Sequence, residues 1–210
     1  MGFRLGPRVV LVVLSVTRAL SAQAPAPAAH HAADRLRFAA GATMAFVSHE
    51  SGHFSFDLLF SANPYLDAVH FGPIPFFAVT GRNHVNPRQL FAISSAGFWM
   101  QEATNEWILS GHSQLRSEHH PMKTGALAFN ILMPAAYGVG ALFKVGPPER
   151  DPRSMASTSG IPEPVIGLIV IAPALLDAYR YLHPEKRWPI WASRAVKLGT
   201  VALTFRAASR

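Results

Sequence analysis

Four long apolar blocks and a fifth shorter one, separated by turn-forming residues, organise the chain. The first covers residues 38–60. A helix of that length crosses a bilayer at about 1.5 Å per residue, although the centre of this one is polar. Asn63-Pro64, Gly72-Pro73, Pro75, Gly81 and Asn86-Pro87 then break the pattern. Between those breakers, residues 69–80 are rich in β-favouring side chains and predict one or two short strands. The second block, 88–109, is apolar in its first half and carries Gln101, Glu102, Asn105 and Glu106 in its second. The third, 123–144, reads as a span bent at Pro134 and Gly138. Residues 145–163 carry both charge signs and read as a polar loop. The fourth block, 164–182, is strongly apolar as far as Asp177. In the last, 188–205, Arg194 and Lys197 share one helical face, as expected of a short span or a helix lying in the interface.

The N-terminus has a different organisation. Arg4 and Arg8 precede a short apolar run at 9–16, and Ala22-Gln23-Ala24 supplies small residues for cleavage. Residues 1–24 therefore read as a signal peptide, or else as an N-terminal anchor. Residues 25–37 are rich in Ala, Pro and His and read as a flexible linker, with His30 and His31 in a polar tail. The domain proper is expected over 38–206.

Composition sharpens the class. Half of the 210 residues are apolar and only 15% are charged, against about 25% in a typical soluble domain. Mean hydropathy is positive, +0.18. The expectation is a mainly α, polytopic membrane bundle of about four to five helices, with a short β segment after the first. Its expected location is a multi-pass position in a membrane, of the bacterial inner-membrane kind. Absence of cysteine excludes disulfides, thiolate zinc sites, cysteine nucleophiles and iron–sulfur clusters. The net charge of +7 is scattered between apolar blocks, so it points to the headgroups of a lipid bilayer and not to nucleic acid. Loop charges are too evenly divided to set the topology.

The chemistry is concentrated at His49-Glu50-Ser51-Gly52-His53, an H-E-x-x-H pattern. On a helix, residues four apart share a face, so His49 and His53 present two imidazoles to one metal ion. Glu50 beside them is placed to act as the base that takes a proton from water, with Zn²⁺ as the expected cofactor. Ionisable groups inside an apolar span cost several kcal/mol unless paired or bound to metal, which favours a functional role here. The plain alternative is a chance run at a helix that breaks at Gly52. Asp57, four residues past His53, is expected to orient a neighbouring histidine or to cap the span.

A zinc hydrolase needs a third protein ligand. Asp177 is one candidate, with a pair to Arg180 as its ordinary alternative. Glu102 and Glu106, on one face of the second block, are others, with a hydrogen-bonded cluster around Asn105 as theirs. The histidines at 70, 84, 112, 119, 120 and 183 lie in apparent loops and read as solvated. Asp177 is preferred, because burial of an unpaired carboxylate in an apolar helix is costly and Pro173 offers a bend to aim it inward.

An H-E-x-x-H helix, a turn-rich β segment, an apolar helix carrying Ala96-Gly97 and a late Leu176-Asp177 together resemble the site-2 protease family of intramembrane zinc metalloproteases. The resemblance covers His49 to Asp177. It implies His49, His53 and Asp177 as zinc ligands and Glu50 as the catalytic residue. It also implies that Gln101, in the Asn position of the family's A-G-P-x-x-N pattern, positions substrate. Two positions depart from the family: Ala178 stands for the glycine of L-D-G, and Phe98 for the proline. The implied activity is hydrolysis of peptide bonds in membrane or membrane-proximal substrates, with a peptide or membrane protein held by edge pairing at the strand around residues 71–79. The alternative is a metal-binding membrane protein without proteolysis. It would be either a degenerate relative or a di-iron oxygenase in which Glu118-His119-His120 is a second histidine box.

Overall fold

Local capping rules explain where the helices start and stop. At Asn86-Pro87 the Asn86 side chain accepts from the backbone N–H groups of Arg88 and Gln89, both at 3.0 Å, and Gln89 accepts in return from the Asn86 N–H. This capping box opens a 25-residue helix, and His112 closes it. Prolines at the starts of three later helices act in the same way, because their missing N–H lies where no helical partner exists.

The computed structural model describes residues 28–71 and 74–209. In chain order the elements are α1 (Ala28–Leu59), β1 (Pro64–Phe71), β2 (Ile74–Gly81), α2 (Pro87–Gly111), α3 (Pro121–Leu142), α4 (Asp151–Ser159), α5 (Glu163–Leu182) and α6 (Trp188–Ser209). The fold is mainly helical with one antiparallel hairpin, in which Pro64 pairs with Gly81 and Phe71 with Ile74. The hairpin lies where strands were expected, but it is longer at its start. The expected signal or anchor at 1–24 lies outside the described residues.

Two expectations are corrected. Residues 28–37, read as linker, form the first turns of α1. Their alanines favour helix, and Asp34 and Arg37 lie three apart on one face, 3.5 Å from each other. The polar loop at 145–163 contains α4. It starts at Asp151-Pro152 and is closed by Gly160, whose φ of 72° suits a residue without a side chain.

Among the described residues the five long helices run up and down. His53 lies beside Ile93 and His49 beside Gly97, so α1 and α2 are antiparallel. Thr200 meets Glu102 and Arg194 meets Ser110, so α6 is antiparallel to α2. Glycines set the closest crossings. A Cβ on Gly125 would collide with the Phe38 carbonyl, and one on Gly138 would lie 2.8 Å from the Gly167 carbonyl oxygen. These contacts draw α3 tightly against α1 on one side and α5 on the other. One apolar cluster (Ile108, Leu109, Leu115, Leu127, Ile131, Tyr181) fills one end of the bundle. A second (Phe91, Phe98, Met155, Ile166, Val170) fills the other, under α4. Among the described residues, α3 and α5 are the helices long and apolar enough to cross a membrane, with mean hydropathy of 1.5 and 1.7 over their spans.

Candidate metal centre

His49, Glu50 and His53 lie on α1 where it meets the first half of α2, and all three are buried. Close approach of the helices makes room for the rings. A Cβ on Gly52 would fall 2.7 Å from the Ala96 carbonyl oxygen, and one on Gly97 2.6 Å from His49 Nε2. Ala96-Gly97 is thus the small step against which the His49 imidazole rests. Phe98 closes the other side, edge-on to His49 with ring centroids 5.5 Å apart.

One tautomer follows from the hydrogen bonds. His53 Nδ1 lies 2.7 Å from the Ile93 carbonyl oxygen. A carbonyl only accepts, so Nδ1 carries a proton, which leaves Nε2 as the nitrogen that offers a lone pair to a metal when the ring is neutral. That Nε2 is 3.1 Å from His49 Nε2. The third group is Asp151, the first residue of α4. Its Oδ2 lies 3.4 Å from His49 Nε2 and 3.5 Å from His53 Nε2. Two imidazole nitrogens and one carboxylate oxygen therefore form a triangle with edges of 3.1, 3.4 and 3.5 Å. Donors bound tetrahedrally at about 2.0–2.2 Å from one ion are separated by about 3.3–3.6 Å, so the donor set fits a zinc-like cation. Burial alone would raise the Asp151 carboxyl, but the charges and hydrogen bonds of His53 and His49 outweigh it and hold the group below the ordinary carboxylate range.

Asp151 is aimed by its neighbours. Arg150 is buried and forks onto Glu163 Oε1 at 2.5 and 2.9 Å, while its Nη1 donates to the carbonyls of Gly146 and Pro147. That pins the turn ahead of α4. Ser94 on α2 donates to Ser154 on α4 at 2.7 Å, holding the short helix against the bundle. Glu50 faces the hairpin, where its Oε2 accepts from the Val79 N–H at 3.1 Å. The edge of β2 that does not pair with β1 thus lies at the centre.

The remaining expected site residues lie elsewhere. Asp177, expected as the third ligand, is not brought to the histidines. It is fully buried and accepts from Ser193 at 2.7 Å and Asn105 at 2.9 Å, with Lys197 Nζ at 2.9 Å and Arg180 at 3.5 Å. Its burial signalled a charge network, not a metal. Glu106 belongs to the same network, held by Arg180 at 2.6 Å, Arg194 at 2.8 Å and Lys197 at 3.4 Å. Glu102 accepts from Thr200 on α6 at 3.1 Å. Gln101 is buried in the bundle and donates to Met133 Sδ at 3.5 Å, so nothing joins it to the metal centre. Asp57 is buried at the end of α1 under Gly81. The orienting role expected of it falls to the Ile93 carbonyl. His119 and His120 lie at the other end of α1, near Asp34, and do not meet His49 and His53.

Asp151 escaped sequence reasoning because it falls in the stretch 145–163 that reads as a polar loop of both charge signs. The available signal was Asp-Pro at a helix start with Gly160 nine residues on. Comparison of the sequence with family models and with curated proteins, and of the fold with solved structures, returned no match.

Proposed function

We propose that this protein is a membrane-embedded zinc metallopeptidase in which His49, His53 and Asp151 hold the metal and Glu50 is the general base. The observation that carries the reading is the donor triangle, whose edges of 3.1–3.5 Å match a tetrahedral ion site. A zinc ion held there supplies Lewis-acid polarisation of a scissile carbonyl and acidifies the attacking water. Glu50, held at Oε2 by Val79, takes the proton of that water at Oε1 and returns it to the leaving amine. An extended substrate adds to the open edge of β2, which brings its backbone beside Glu50.

Membrane insertion is part of the same reading. Besides α3 and α5, it is supported by large apolar side chains facing outward along α1 (Met44, Val47, Phe54, Leu58) and α5 (Val165, Leu168, Leu175). The proposed setting is a multi-pass position in a bacterial inner membrane.

The test is Glu50→Gln in reconstituted protein presented with transmembrane peptides. The variant keeps volume and the acceptor for Val79 but cannot take a proton. Zinc content is expected to persist while cleavage falls by about 10²–10⁴-fold. Undiminished cleavage by the variant rules out this assignment.

A further inference from the structure

The end of the bundle far from His49 carries a second cluster of metal-binding side chains. His112 closes α2, His120 precedes α3, and Glu118 lies in the turn between them. Glu118 Oε2 is 2.5 Å from His112 Nδ1 and 3.4 Å from His120 Nε2. One donor atom from each of the three residues lies within 4.8 Å of the others. The two rings stand edge to face, with centroids 4.7 Å apart.

The connection is built to hold that arrangement. Leu115 anchors it in the core at 1% exposure. Backbone bonds from Leu115 to His112, from Ser117 and Glu118 to Gln114, and from His120 to Glu118 fold it into successive turns. Side-chain exposures of 25, 33 and 43% leave the three groups open to solvent, so an ion reaches them without entering the bundle.

A cation at this site requires a change of tautomer and displacement of a neighbouring ammonium. Lys123 Nζ contacts His112 Nε2. An ammonium only donates, so this nitrogen accepts and Nδ1 holds the ring proton against Glu118. When a metal binds at Nδ1, the ring proton moves to Nε2 and Lys123 swings away. No net proton transfer is required. Two imidazoles and a carboxylate suit zinc and its borderline neighbours, not calcium or magnesium.

The cluster is separate from the first centre. His119, next to His120, lies 3.1 Å from Asp34. Asp34 and His49 are fifteen positions apart on α1, a separation of about 22 Å along a helix axis.

We propose that His112, Glu118 and His120 form a second divalent-metal site, which clamps the end of α2 to the start of α3 and takes zinc with solvent in its remaining position. It does not rest on the peptidase reading. The experiment is zinc titration of the metal-stripped full chain in detergent, against a competing chelator, with bound zinc counted after gel filtration. Wild type is expected to bind two equivalents, and both His112→Ala/His120→Ala and Glu118→Gln one. His49→Ala/His53→Ala is also expected to bind one, and in that background zinc raises the unfolding temperature unless Glu118→Gln is added. Circular dichroism checks that the loop variants remain folded. Zinc stoichiometry equal to wild type in folded His112→Ala/His120→Ala overturns the proposal. A single wild-type equivalent abolished by the loop variants, and untouched by His49→Ala/His53→Ala, upholds it while removing the first centre.

Discussion

Asp151 opens one helix of the bundle and Asp177 lies near the end of another, the first with a carboxylate 17% exposed and the second with one fully buried. Around Asp151 the near neighbours are the Nε2 atoms of two imidazoles, 3.4 and 3.5 Å from its Oδ2. Around Asp177 they are a hydroxyl, an amide, an ammonium and a guanidinium, all donors. Two imidazole nitrogens and a carboxylate oxygen converging on one point leave a place for a cation, which takes over the position of the ring protons. A carboxylate surrounded by donors has no such place. Burial alone does not distinguish a ligand from a structural charge; the sign and direction of the neighbouring groups do.

Removing each aspartate should separate the two environments most sharply. Asp151→Ala is expected to abolish metal binding at the His49 centre, and Asp177→Ala to leave it intact, as read by metal content in a Glu118→Gln background. Stability should respond in the opposite sense. Asp177→Ala leaves Lys197 and Arg180 buried with only Glu106 to offset them, and should destabilise by about 3–5 kcal/mol in denaturant unfolding. Metal-free Asp151→Ala should lose much less. Equal losses would mean that both carboxylates are structural.

A smaller effect tests how the ligands are held. The Cβ of Gly97→Ala would fall 2.6–2.7 Å from both nitrogens of the His49 ring, so the ring must turn away. Metal affinity should fall by about 10–100-fold, the range for losing a group that orients a ligand, with little change in helix content. The smallest effect belongs to the network's rim. Arg194 shares Glu106 with Arg180 but is 41% exposed against 4%. Its replacement by Ala should cost under about 1 kcal/mol in the same unfolding measurement.

What was legible in the sequence follows the same division. The helical period fixed the facing of His49 and His53, and breakers placed the hairpin and the long helices, because those features are local. The partner of the histidine pair was not local. It comes from a nine-residue helix of low apolarity about a hundred positions away, recruited only when Arg150 and Ser94 dock α4. Asp177 misled because an acid in an apolar helix signals only that some partner exists. Lys197 and Ser193, which answer that need, lie on another helix whose packing no pattern revealed.

The glycine crossings also determine which part of the bundle yields first. Gly41 and Gly125 seat α1 on α3, Gly138 and Gly167 seat α3 on α5, and Gly52 seats α1 on α2, each with backbone against backbone. Separating any of those pairs breaks many short contacts at once. The sixth helix has no such seat among the described residues: Gly199 faces open space, and α6 is held through side chains such as Lys197, Thr200 and Arg194. Opening of α6 breaks side-chain contacts alone, so it is expected to separate before the other four long helices. Helix-resolved amide exchange should show this as earlier opening of α6 than of α3.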